Sequence, residues 1–173
     1  MLFKQLYHSP LGDILLAAAD DVLLGTWFVG QKYELSGFEK IDFTEQENTV
    51  LSATEDWLEA YFAGVPLPLP DFLSPQGTVF QQRVWTLLTH IPFGQTVTYG
   101  EIAEELRCRS AQAVGGAVRK NPISIFIPCH RVLGSRGQLT GYAGGLDRKY
   151  WLLEHEGVKE DRLFLQINKG SRQ

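Results

Sequence analysis

Cysteine is scarce in this 173-residue chain: only Cys108 and Cys129 occur. Two thiols are too few for a disulfide framework, and too few for a four-ligand zinc site unless histidines complete it. His8, His90 and His155 stand at no metal-ligand spacing from either cysteine, so no metal site is expected. Reduced thiols point to the cytosol. Long apolar runs are also missing. No stretch is long enough to span a bilayer, and the opening MLFKQLYHSPLG lacks the charged and then apolar regions of a secretory signal. The chain is therefore expected inside the cell, with no membrane partner. Basic residues are rare in the first 75 positions, where three Lys/Arg face twelve Asp/Glu. Residues 76–160 carry ten against seven, and 161–173 three against one, which gives the net charge of −4. The acidic half reads as solvated surface. The mildly basic remainder permits a phosphate-backbone partner without demanding one.

What is present suits a soluble chain with one good core or two small domains: 44% hydrophobic and 21% charged residues. Residues 2–8, 11–19 and 21–30 read as strands, with Asp20-Asp21 as a hairpin turn. Residues 31–45 are polar and irregular. From about Glu47 a helical pattern puts Val50, Leu51, Trp57, Leu58, Tyr61 and Phe62 on one face, and Gly64 follows as a stop. The alternation of proline and leucine from Pro66 to Pro70 forms an extended connector, and the domain boundary is placed there. Nothing in the N-terminal part clusters as a catalytic site.

The second half is rich in helix signals. Thr78 and Gln81 form a capping box opening a helix through about Thr89. Thr98 and Glu101 form a second, opening a short helix to about Arg107. A tight link, Arg107–Ser110, leads to a third helix from Ala111 to Lys120, which Asn121-Pro122 stops. Two short helices joined by a brief turn, the second basic at its end, have the pattern of a helix-turn-helix. The segment Ile123–Ile127, where isoleucines alternate with Ser124 and Phe126, reads as a buried strand; with the loop Leu133–Gln138 it would make a wing. Five small residues (Ala111, Ala113, Gly115, Gly116 and Ala117) allow either another helix or a DNA backbone to come close. A last helix, Leu146–Glu156, is stopped by Gly157.

Pro128 ends the predicted strand, and directly after it stand Cys129, His130 and Arg131. Sulfur is a strong nucleophile only as thiolate, and a neighbouring base lowers the cost of reaching that form. A thiol at a strand end beside an imidazole meets this requirement. Glu156, at a helix end, has two readings: an ordinary surface carboxylate, or a third group that orients the imidazole.

These pieces carry a specific resemblance. Phe80-Gln81-x-x-Val84-Trp85, Phe93-Gly94 with Tyr99, Asn121-Pro122-Ile123, Ile127 through Val132, Gly141 through Gly145, and Lys149 through Gly157 closely resemble the O6-alkylguanine-DNA alkyltransferases in order and spacing, over about 80 residues. The resemblance implies a mixed α/β (α+β) chain. A small ribonuclease-H-like sheet-plus-helix domain over 1–70 precedes a helix-rich winged helix-turn-helix domain over 71–160, with a tail, 161–173, whose Arg162–Ile167 reads as a strand. It implies a monomeric repair protein that needs no cofactor. Such a protein binds double-stranded DNA in the minor groove, flips out O6-alkylguanine or O4-alkylthymine, and takes the alkyl group once and irreversibly.

Residue by residue, the resemblance makes Cys129 the nucleophile and His130 the base that takes its proton through a water, with Glu156 polarising His130. Asn121 places the thiol, and Tyr99 assists flipping and donates toward O6. DNA would be met by Ala111, Gln112, Ala113, Gly115 and Arg119 of the recognition helix, by Thr98 before the first helix of the pair, and by Ser135 in the wing loop. Tyr142, Ala143, Val132 and Lys149 would wall the pocket, and Arg131 would hold structure. One departure stands out: the family's intercalating arginine is Gln112 here, which lacks the charge and stacking plane of arginine. Three other functions remain open on the residues alone: a lesion-binding protein without transfer, a Cys-His hydrolase, and a winged-helix transcription factor. Cys129 argues against the first, and no oxyanion donors are evident for the second. The low net charge argues against the third.

Overall fold

In the computed structural model, which describes residues 1–158, the three β-rich runs pair as an antiparallel meander: β1 (Phe3–Ser9), β2 (Gly12–Ala18) and β3 (Leu23–Phe28), in that order. The turn expected at Asp20-Asp21 closes with Ala19 N donating to Val22 O at 2.9 Å. All of β3 is buried, so it reads as a near-continuous apolar run rather than an alternating one. Gly25 lies within it because a Cβ there would fall 2.0 Å from the Trp27 ring.

Helix α1 (Thr49–Phe62) packs on this sheet through Val50, Leu51, Trp57, Leu58 and Tyr61. It starts where Asn48 accepts from the backbone N–H of Val50 and Leu51 at 2.8 and 3.1 Å, which satisfies two of the orphan donors of the first turn. It ends at Gly64, whose φ of +86° suits the left-handed stop, with Val65 N reaching back to Ala60 O at 2.9 Å.

The chain divides into two compact units. The first is Met1–Gly77 with Pro122–Phe126, and the second is Thr78–Asn121 with the described residues from Ile127 to Val158. The inserted piece corrects the strand predicted over Ile123–Ile127. Only Ile123 makes a bridge, to Thr26, and the chain then turns, with Ile125 at φ +74°. Thr26 holds the turn by donating from N to Pro122 O and from Oγ1 to Ser124 O, both at 2.8 Å, while Ser124 N donates to Thr26 O. Phe126 stacks on Trp57 with centroids 4.1 Å apart. Every residue from Ile123 to Ile127 is buried, so the alternation of Ile with Ser and Phe does not mark two faces of a strand.

In the second unit both predicted capping boxes form, Thr78 with Gln81 and Thr98 with Glu101. They open α2 (Val79–Leu88) and α3 (Tyr99–Glu105). Helix α4 (Ala111–Arg119) starts at Ser110 and packs against both; Trp85 Nε1 donates to Ala117 O at 2.8 Å. The α3–α4 link turns through Arg107 at φ +52°. The wing is smaller than expected: β4 (Val97–Thr98) and β5 (Val132–Leu133) pair in parallel. Helix α5 (Leu146–His155) follows the Gly141–Gly145 loop. The strand expected at Arg162–Ile167 lies outside the described residues.

Candidate active site

Ile127 returns the chain to the second unit, and Asn121 Nδ2 donates to Ile127 O at 2.7 Å to hold the return. After Pro128, Cys129–Arg131 form a single 3-10 turn. Three residues per turn spread successive side chains about 120° apart, so the thiol, the imidazole and the guanidinium leave in different directions. All three are buried.

The Cys129 sulfur accepts from the Asn121 side chain and from the backbone N–H groups of Cys129 and His130, and it lies in the field of Lys149. Burial dominates, however, and pushes the thiol above its ordinary pKa in spite of those partners. Cys129 therefore rests protonated and needs a base at the moment of reaction, the role expected of His130.

That base is built beside it. His130 is fully buried, and its Nε2 lies 2.6 Å from Glu156 Oε2. Burial lowers the imidazole pKa and the Arg131 and Lys149 cations add to this, against the opposing pull of Glu156; the ring is neutral. Burial alone would raise the Glu156 carboxyl, but His130 and Arg131 outweigh it and hold it far below the usual carboxylate range. A carboxylate accepts only, so the imidazole proton sits on Nε2 and the lone pair on Nδ1. Nδ1 is buried with no partner among the described residues.

Glu156 is thus no surface carboxylate. It caps the C-terminal end of α5, and Arg131 grips it from Nε to Oε1 at 2.7 Å and from Nη2 to Oε2 at 3.1 Å. Arg131 Nη1 also donates to Ile91 O at 2.6 Å, and Gly94 N to Glu156 Oε1 at 3.2 Å. Lys149, fully buried on α5, donates to Val132 O at 2.5 Å and Thr140 O at 2.8 Å. Burial lowers its pKa to about 8, opposed by the charge of Cys129. Tyr99 begins α3 and donates from Oη to the same Thr140 carbonyl at 3.0 Å.

The structure therefore gathers Cys129, His130, Glu156, Asn121, Tyr99 and Lys149 in one unit. Val132 and Tyr142 are buried there, and Ala143 is half-buried in the loop before α5. The proposed DNA contacts are distributed differently. Ala111, Gln112 and Ala113 are exposed on the first turn of α4, and Ser135 is exposed in the wing loop. Thr98 caps α3. Gly115 is buried and Arg119 half-buried. Sequence reasoning missed the Ile91 carbonyl, the Gly94 amide and the Thr140 carbonyl, because backbone groups leave no residue-type signal. Among the described residues no cluster of His, Cys, Asp or Glu is arranged to hold a metal, and no helix is long and apolar enough to cross a membrane. Chemically, the arrangement offers a soft nucleophile, a neutral base whose tautomer is fixed, and a buried cation near the sulfur.

A family model described as 6-O-methylguanine DNA methyltransferase, DNA binding domain, matches residues 79–158. A second, described as 6-O-methylguanine DNA methyltransferase, ribonuclease-like domain, matches residues 2–70. The chain is 43% identical over 163 residues to the methylated-DNA–protein-cysteine methyltransferase of Methanosarcina acetivorans, across 90% of this chain and 99% of that protein. To its counterpart from Mycobacterium leprae it is 46% identical over 157 residues, covering 90% and 93%. The solved structure of Mycobacterium tuberculosis OGT in complex with DNA aligns with a TM-score of 0.81 at 40% identity, covering 93% of this chain and 94% of that one.

Proposed function

The chain belongs to the 6-O-methylguanine DNA methyltransferase family, and we propose that it repairs DNA by moving the O6-alkyl group of a guanine onto its own Cys129. The carrying observation is the buried Cys129 thiol beside a His130 whose proton is committed to Glu156.

The reaction needs a thiolate that exists only while substrate is in place. His130 Nδ1 takes the Cys129 proton through one water, and Glu156 stabilises the imidazolium as it forms. The sulfur attacks the alkyl carbon in line with O6. The S–C bond forms, the C–O bond breaks, and its electron pair goes to the guanine oxygen. Tyr99, turning its one O–H away from Thr140 O, donates toward that oxygen, and Lys149 offsets negative charge at the sulfur before transfer. The product is a thioether, which has no hydrolytic route back, so each molecule acts once.

Cys129 is 4% exposed, so a guanine stacked in a duplex cannot reach it and must be extruded, which costs least for a damaged pair. The first turn of α4, with small Ala111 and Ala113 flanking Gln112, offers the close-approach surface, and Ser135 and Thr98 add polar contacts. Tyr142, Ala143 and Val132 wall the pocket. In this reading the protein acts as a monomer in the cytoplasm on duplexes carrying O6-alkylguanine.

The test is stoichiometry. With a tenfold excess of duplex carrying one O6-methylguanine, repaired lesions should plateau at one per protein molecule. Continued turnover past that point would contradict the reading.

A further inference from the structure

We propose that Arg119 is a positioning residue for alkyl transfer: its guanidinium, folded back onto two glycines, fixes the Tyr99 phenol and presents positive charge to it. The inference rests on the transfer function proposed above and deepens it.

The seat is defined by missing side chains. A Cβ on Gly141 would lie 2.8 Å from Arg119 Nη1, 3.4 Å from its Cδ and 3.5 Å from Tyr99 Oη. A Cβ on Gly115, one turn back along α4, would lie 3.5 Å from Nη1, 3.9 Å from Nη2 and 3.9 Å from Tyr99 Cδ1. The guanidinium and the phenol thus share the same two gaps. Gly115 is buried under this pair, and Gly141 adopts φ +56°, where side chains are strained. By contrast nothing lies within 4 Å of a Cβ on Gly116. The small residues of α4 therefore serve two faces: Gly115 turns inward to Arg119 and Tyr99, while Ala111 and Ala113 stay exposed.

Arg119 is the last residue of α4, about 10 Å along the helix from Gln112 at 1.5 Å per residue. Burial dominates at Tyr99 and raises the phenol pKa, opposed by the Thr140 side chain; the charge of Cys129 raises it further and the charge of Arg119 lowers it. The cation over the Tyr99 ring is Lys149, 5.8 Å from its centroid. Lys149 is committed to two carbonyls. A neighbouring cation makes the phenol O–H a stronger donor to the oxygen of the departing guanine. Tyr99 Oη is tied to Thr140 O at 3.0 Å, and the seated guanidinium occupies the space beside the phenol over Gly115 and Gly141.

The experiment compares single-turnover transfer from two substrates: the O6-methylguanine free base, which has no phosphate, and a duplex containing O6-methylguanine. Arg119→Met should slow both by roughly ten- to a hundredfold, while Arg119→Lys, which keeps the charge but not the planar guanidinium, should fall between that variant and the parent. In a Tyr99→Phe background Arg119→Met should add less than about twofold, since the two act through one group. Affinity for undamaged duplex and its salt dependence should not change. Should Arg119→Met melt early, Arg119→Gln takes its place in the same cycle.

An unchanged free-base rate, with weaker duplex binding and a salt slope reduced by about one, would overturn the inference and make Arg119 a phosphate contact. So would an equal loss with and without the Tyr99 hydroxyl. A parent protein that transfers from neither substrate would overturn the functional reading itself, and this inference with it.

Discussion

Replacing Glu156 with glutamine tests the relay behind the nucleophile, and its cost follows from the hydrogen bonds. The two carboxylate oxygens accept from His130 Nε2, Arg131 Nε, Arg131 Nη2 and Gly94 N. Glutamine has one acceptor oxygen, so in either orientation its NH2 group faces donors that have lost their acceptor. Each buried donor left so costs about 1–3 kcal/mol, and Arg131 loses its counter-charge. Breaking a buried pair from one side costs roughly 3–5 kcal/mol. At this chain length that corresponds to a melting point lower by roughly 6–20 °C. Transfer should fall by a factor on the order of 10² to 10⁴, because a neutral amide, in either orientation, supplies no negative charge to stabilise the His130 imidazolium.

The pH dependence has a definite sign. Glu156 has its folded pKa depressed, so its stabilisation is present above the unfolded carboxyl value, about 4.3, and is lost as pH falls below it. His130 also has its pKa lowered. The unfolded chain binds its proton first, so stability falls as pH drops below about 6.5. The variant keeps the second loss and lacks the first, so the melting gap between the two proteins narrows below about pH 4. Thermal melts followed by circular dichroism, with single-turnover assays, measure all of this. A Glu156→Gln protein melting within about 2 °C of the parent and transferring at the parental rate would refute the reasoning.

Lys149 gives a signal in the opposite pH range. With a folded pKa of about 8 against about 10.4 unfolded, the unfolded chain binds the extra proton across that window, so stability rises with pH. Urea unfolding at pH 7.5 and 10 should show the parent gaining stability relative to Lys149→Met, since the opposing Cys129 thiol is common to both, and the variant should also transfer more slowly. Gly25→Ala places a methyl group into the Trp27 ring and should destabilise by about 1–3 kcal/mol, measured by urea unfolding. Gln112→Arg, on the exposed first turn of α4, should speed repair of duplex substrate and leave transfer from the free base unchanged.

Local signals were read correctly because their partners are near in the chain. The Thr78/Gln81 and Thr98/Glu101 capping boxes each need only four consecutive residues, and both form. The three N-terminal strands carry their register in short turns. The segment Ile123–Ile127 misled for a physical reason: alternation marks a strand only where one face meets water, and here every residue is buried. The Cys129–His130 pair was visible as neighbours, but the direction of the thiol pKa was not, since burial decides it. Glu156, 26 residues from His130, had no local mark separating it from a surface carboxylate, so both readings stayed open until the resemblance chose between them. The grip of Arg131 on Ile91 O and Glu156 spans 40 and 25 residues, distances at which a single sequence carries no pairing signal.

The central claim is that Cys129 itself receives the alkyl group, and intact mass reads that directly. After incubation with duplex containing one O6-methylguanine, the protein should gain the mass of one methylene, map it to Cys129 and saturate at one per chain, with Cys129→Ser unchanged. Tight binding with no mass gain, or an equal gain in Cys129→Ser, would contradict the account.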